Sequence, residues 1–359
     1  MDLCHWETEV VLEARSTAPL DRPLGIFVHI FYDELADEIA SYLAQIDLPK
    51  RIYVSTKPKE KTKRILAAFD GHGLGAVTEV AVVPDYGTDI APFMITFGDK
   101  LKEHDVCLKI HSKRSLHGPR DFGDGWRFHL YYELMGDRDR VVSIVNTILS
   151  NPDIGVLIPQ RYPKIHPSSV SIGPNHNQMQ RILSKIGICL LPYQEIQFPV
   201  GSMFWFRGKA PAGLADLGFD WTDFGRGVEA TDGTLAHGME RCFLFFSAMV
   251  GMKWGFLPPF RTAPQMSRDE TIRLIRNSEL FDQNYYLNVN RDIVSDPIEH
   301  WVDYGFREWR NPSEKFDIEF YTRLVSPQFP NLLVHYIVEG QARGLPTIRP
   351  RGPFPFGQV

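Results

Sequence analysis

From residue 24 onward, short apolar runs alternate with segments of helical spacing, and that order restricts the fold more than any single residue does. Residues 24–31 read as a buried strand, and 33–43 carry apolar residues at i, i+4 and i+7, the stripe of an amphipathic helix. Strands are expected at 51–56, 77–83, 105–110 and 154–158, with helices at 61–69, 126–134 and 138–149. A strand at 198–207 and a long helix over 231–250 follow, the helix opening on Thr231 and Asp232, both N-cap residue types. Strand-helix alternation predicts an α/β fold, a Rossmann-type mostly parallel sheet with helices on both faces. In such sheets the ligand cleft lies at the strand C-terminal ends.

Composition excludes several classes. The 359 residues carry a formal charge of −5, which argues against a general nucleic-acid binder. The four cysteines are scattered, three within apolar runs, so neither a disulfide framework nor zinc spacing is present. No stretch approaches the roughly 20 apolar residues of a membrane helix, and the first residues lack a signal-like pattern, so a cytosolic location is expected.

The chain reads as four regions: an arm over 1–23, the α/β domain over 24–265, a helical repeat over 266–347 and an extended tail over 348–359. The repeat is visible as Phe281 and Phe316, His300 and His335, Gly305 and Gly340, each pair 35 residues apart. The Gly- and charge-rich stretch 115–125 and the Pro-, Ser- and His-rich stretch 161–180 read as loops over the cleft.

Three constellations could carry chemistry. In Asp85-Tyr-Gly-Thr-Asp89, directly after a strand, Gly87 permits close backbone approach, while Asp89 serves either a nucleotide ribose or the cap of the next helix. In Lys109-Ile-His-Ser-Lys-Arg114, the cluster His111, Lys113 and Arg114 suits a diphosphate, or else caps a solvated strand end. No carboxylate pair accompanies it, which disfavours Mg²⁺ or Mn²⁺, and no metal ligand is assigned. The third is Gly201-Ser-Met-Phe-Trp-Phe-Arg207 with Asp232 to Arg241. Its aromatics either pave a sugar-binding wall or fill the core. Asp232, Glu229, His237 and Glu240 are candidate bases, and helical spacing favours a single general base over a dyad.

These motifs, together with His29-Ile-Phe-Tyr32 and Trp126-Arg127, resemble the rhamnan synthesis protein F family of bacterial polysaccharide glycosyltransferases, over residues 24 to about 255. The family's usual Asn and Arg of the turn motif stand here as Asp85 and Thr88. The motif order is also similar to nucleotide-sugar transferases of the GT-A type, with His111-Ser-Lys113 where an Asp-x-Asp is usual. The C-terminal repeat is similar to modules appended to many bacterial glycosyltransferases.

The resemblance implies transfer of a sugar, such as the deoxyhexose rhamnose, to a surface polysaccharide or O-antigen acceptor. The donor would meet His29, Ser55, Thr56, Asp85, Gly87 and Asp89, and its diphosphate His111, Lys113 and Arg114. The acceptor would meet Gly201, Ser202, Trp205, Arg207, His237 and Arg241, with Asp232 as base and Glu229 or Glu240 in reserve. Inversion is expected, with no cofactor beyond the nucleotide sugar. The implied partners are an oligosaccharide or lipid-linked glycan and polysaccharide-assembly proteins at the inner face of the plasma membrane. A sugar-nucleotide hydrolase and a non-catalytic glycan-binding scaffold are the alternative functions.

Overall fold

Seven strands form one sheet: β1 (Leu24–Ile30), β2 (Lys50–Thr56), β3 (Thr78–Val82), β4 (Val106–His111), β5 (Ile154–Ile158), β6 (Phe204–Arg207) and β7 (Lys253–Phe256). Their spatial order is β3-β2-β1-β4-β6-β5-β7. The computed structural model describes residues 2–13, 20–113, 120–191, 194–226, 232–260, 266–322, 331–341 and 345–349. Pairing is parallel throughout except at β6, which runs antiparallel to both β4 and β5. The fold is α/β, with a mostly parallel sheet and a set of C-terminal helices.

Every residue of β1 and of β5 is buried, so both faces of the sheet are covered. One face packs Phe27, Tyr53, Phe204 and Phe206 against the helix Leu235–Met249. Burying each such aromatic contributes on the order of 2–3 kcal/mol. The arm closes the β7 edge: Thr8 N–H donates to Trp254 O at 2.9 Å, and Trp254 Nε1–H donates to Leu3 O at 3.1 Å.

Several expected boundaries move. The helix Arg120–Met135 begins inside the stretch read as a loop over 115–125. The helix His176–Ser184 begins inside the one read as irregular over 161–180. The last long helix starts at Leu235, with Thr234 rather than Asp232 as its N-cap, and β7 had no sequence expectation at all.

The chain divides into two compact units, residues 1–113 with 133–260, and residues 114–132 with 261–359. In the second, the 35-residue repeat is repeated in its bonds. Tyr286 Oη meets His300 Nδ1 at 3.1 Å, and Tyr321 Oη meets His335 Nδ1 at 2.8 Å. Asp282 N–H donates to Pro312 O at 3.0 Å, and Asp317 N–H donates to Thr347 O at 2.8 Å. Both copies share one core with Ile272 and Ile275 of the helix Arg268–Arg276, so neither buries its apolar side alone. Among the described residues no helix is long and apolar enough to cross a membrane.

Candidate active site

Register brings the polar residues together. His29 lies abreast of Ser55 and of His111, and two residues earlier Phe27 lies abreast of Tyr53 and Lys109. Alternate residues share a face, so this face turns from aromatic to polar as it nears the strand C-terminal ends. Chain order also reverses here, since β1 continues to β2 on one side while β4 lies on the other. Crevices at such switch points are where open α/β sheets bind ligands.

Antiparallel β6 delivers its N-terminal end to this place, because Lys109 pairs with Phe204 and Val106 with Arg207. Gly201 and Ser202 therefore arrive beside β4, with φ of 94° and 58°. The same direction carries Arg207 to the opposite end of the sheet, where its guanidinium donates to the carbonyls of Ile148, Asn151 and Ile154. The expected acceptor role of Arg207 is thus corrected. Trp205 is corrected too: it is fully buried, and its Nε1–H donates to Leu134 O at 3.0 Å, so it is core and not a sugar wall.

Lys109 is the residue that sequence reading left without a role. It is 1% exposed, and its ammonium reaches Asp89 Oδ2 at 2.5 Å, Ser202 O at 2.8 Å and Ser202 Oγ at 2.7 Å. All three donors are thereby used. A lysine inside the apolar run Val106-Cys-Leu-Lys-Ile110 was the available signal, since a buried ammonium needs a carboxylate. Asp89 spends its carboxylate on this pair. Burial opposes its charge, but His111 and Lys109 outweigh burial and hold it well below the usual carboxylate range.

His111 Nε2–H donates to Gly201 O at 2.9 Å. Burial lowers its pKa to about 4, so it is a neutral donor at neutral pH and not one of three cations around a diphosphate. His29 is lowered to about 3, again by burial; its Nδ1 meets Ser55 Oγ at 2.9 Å, and its Nε2 has no partner among the described residues. Thr56 Oγ1 donates to Ile30 O at 2.7 Å and braces the strand ends. Buried Lys57 pairs with Asp85, and Gly87, at φ 61°, leaves no room for a Cβ beside Ala91 and Phe224. Lys113 lies close enough to Glu240 and Asp89 to feel both charges, and burial lowers its pKa. Arg114 and Glu229 lie outside the described residues.

The two remaining carboxylates differ in freedom. Asp232 Oδ1 accepts from Asn175 Nδ2 at 2.8 Å and from Gly233 N–H at 3.0 Å, and its Oδ2 accepts from Arg241 Nη2 at 3.2 Å. Arg241 is in turn held by Ser171 O and His237 O and stacks on Phe198. His237 Nδ1 meets Thr234 Oγ1 at 2.7 Å, and burial lowers its pKa. Among the described residues Glu240 accepts one hydrogen bond, from Gly201 N–H at 3.2 Å, and it sits 4.0 Å from Arg241 Nη1. Burial raises its pKa, against the pull of Arg241.

Among the described residues no group of three His, Cys, Asp or Glu side chains is arranged to hold a metal ion. The chain is 31% identical over 217 residues to uncharacterized protein WxcX of Xanthomonas campestris pv. campestris, in strains B100 and ATCC 33913, a match covering 60% of this chain. It spans 30% of the length of those curated relatives. A mycobacterial protein of known crystal structure aligns over 71% of this chain and 74% of its own at 14% identity, with a TM-score of 0.34, too loose to argue from. The model of rhamnan synthesis protein F matches residues 7–251, more than half of the chain, which therefore belongs to the rhamnan synthesis protein F family.

Proposed function

We propose that this chain is a glycosyltransferase of polysaccharide synthesis. It takes a sugar, such as rhamnose, from a nucleotide diphosphate sugar and attaches it to a growing surface polysaccharide or O-antigen acceptor, with inversion and without a divalent metal. The family's name supports a part in rhamnan synthesis, and the polar row at the chain reversal supports a nucleotide-sugar cleft of the GT-A kind. One observation carries the catalytic reading: Glu240, a half-buried carboxylate with a raised pKa, accepts a hydrogen bond from Gly201 N–H in the turn that β6 brings beside β4.

A base works best with its pKa near the working pH, and Glu240 is displaced in that direction. It removes the proton of an acceptor hydroxyl as that oxygen bonds to the anomeric carbon. The bond from that carbon to the diphosphate breaks, and the nucleoside diphosphate leaves with the electron pair. Lys113 meets the charge that develops on it. Asp232, committed to three donors, braces Arg241 and the start of the Leu235–Met249 helix instead of moving a proton.

The test is nucleotide release from a panel of sugar nucleotides in the presence of glycan acceptors. Glu240→Gln should lower transfer by about 1000-fold with donor binding kept, whereas Asp232→Asn should cost about 10-fold. The reverse ranking would return the base to Asp232. Loss of turnover in excess EDTA would sink metal independence, and binding of glycan without any turnover would favour the scaffold.

A further inference from the structure

We propose that Lys109 is the positioning residue of this site, an internal cation that clamps the donor-side turn to the acceptor-side turn and thereby aims Glu240 and His111. The inference rests on the transferase reading of the cleft. Two turns meet at its ammonium, and they are built alike. Gly87 and Thr88, at φ 61° and 54°, precede Asp89, while Gly201 and Ser202, at φ 94° and 58°, precede β6. Each is a glycine followed by a hydroxyl residue in the left-handed region, which L side chains adopt at a cost. Such residues persist where their surroundings over-determine them.

The surroundings of Ser202 do so through Lys109. Its carbonyl and its hydroxyl both accept from Nζ, at 2.8 and 2.7 Å, and its N–H donates to Pro199 O at 2.7 Å. The third ammonium hydrogen goes to Asp89 Oδ2 at 2.5 Å, tying in the other turn. What the clamp controls is Gly201, whose carbonyl accepts from His111 Nε2 at 2.9 Å and whose N–H donates to Glu240 Oε1 at 3.2 Å. If Ser202 relaxes to negative φ, both bonds lose their geometry. Lys109 itself, 1% exposed with every donor spent, has nothing left to offer a substrate.

The experiment uses the full chain and compares wild type, Lys109→Met, and Lys109→Met combined with Ser202→Gly. Glycine takes left-handed φ without strain, so it should need the clamp less. Lys109→Met should lower kcat about 100-fold while the donor KM changes less than about 3-fold, as a misaimed base does. It should also speed deuterium exchange at residues 199–203 and move the acid limb of the kcat profile to higher pH, since Glu240 loses a hydrogen bond and a nearby positive charge. Adding Ser202→Gly should recover about 10-fold of kcat. A folded Lys109→Met with wild-type kcat, or with unchanged exchange at 199–203, would overturn the proposal. Should the single variant fail to fold, the neutral pair Asp89→Asn with Lys109→Met removes the lone buried carboxylate. The same loss of kcat and faster exchange at 199–203 are expected there, without the shift of the acid limb because the two lost charges offset at Glu240, and wild-type kcat or exchange would be equally fatal. If wild type turns over no sugar nucleotide, the transferase reading fails by itself, and the exchange comparison still decides whether Lys109 holds the turn.

Discussion

Gly305 and Gly340 each sit against a tyrosine hydroxyl, Tyr286 for the first and Tyr321 for the second, so that a Cβ on either would collide with the oxygen bonded to the repeat's histidine. Gly305→Ala should therefore cost about 1–3 kcal/mol, read from urea unfolding of the C-terminal unit, and Gly340→Ala should cost a similar amount. Equal stability in both variants would show that the Tyr-His bonds yield without loss. The glycines, histidines and aromatics of the repeat stood out in the sequence by their 35-residue spacing, whereas the hydrogen bond that explains it did not. A repeat reveals which positions matter, and only contact reveals to what. Lys109 makes the same point from the other side, as it repeats nowhere and needed Asp89 and Ser202 beside it before its role could be read.

The helix Leu235–Met249 begins where Thr234 Oγ1 accepts from His237 N–H at 3.4 Å and meets His237 Nδ1 at 2.7 Å. Thr234→Ala should cost about 1 kcal/mol by chemical denaturation and release the His237 ring. An unchanged midpoint would mean that Asn175, Asp232 and Gly233 hold this helix end without it. Strands β1 to β5 lie within about two residues of their apolar runs; burial on both faces demands near-continuous apolar sequence in β1, β4 and β5, while the edge strand β3 has no buried residue. The direction of β6 was not legible. A strand of four residues carries the same side-chain alternation whichever way it runs, so the neighbouring strands decide. From that single direction follow the displacement of Arg207 to the far end and the arrival of Gly201 and Ser202 at the cleft.

Across the molecule, histidines held neutral by burial make the fold acid-sensitive, His29 and His111 most strongly and His104 and His237 in the same direction. His29 and His111 titrate at about 3 and about 4 when folded, against 6.5 as the ordinary value. Between that value and the folded ones the unfolded chain binds more protons, so stability is complete above it and falls as pH drops. The slope is at most about 1.4 kcal/mol per pH unit for each histidine. Thermal unfolding from about pH 7 to about pH 5 should fall accordingly, and His111→Gln should remove its own share of the slope, leaving that of His29, His104 and His237. An unaltered slope would mean that His111 is not buried neutral. The sequence by itself determined the α/β class, the strand ends that carry polar residues and the paired repeat, because burial and periodicity are properties of neighbours along the chain. Only the tertiary structure decided which carboxylate is less committed, which histidine is neutral and which cation is spent internally. Charge state and hydrogen-bond commitment depend on groups far apart along the chain, as Lys109 and Ser202 are at 93 residues, and no local pattern encodes them.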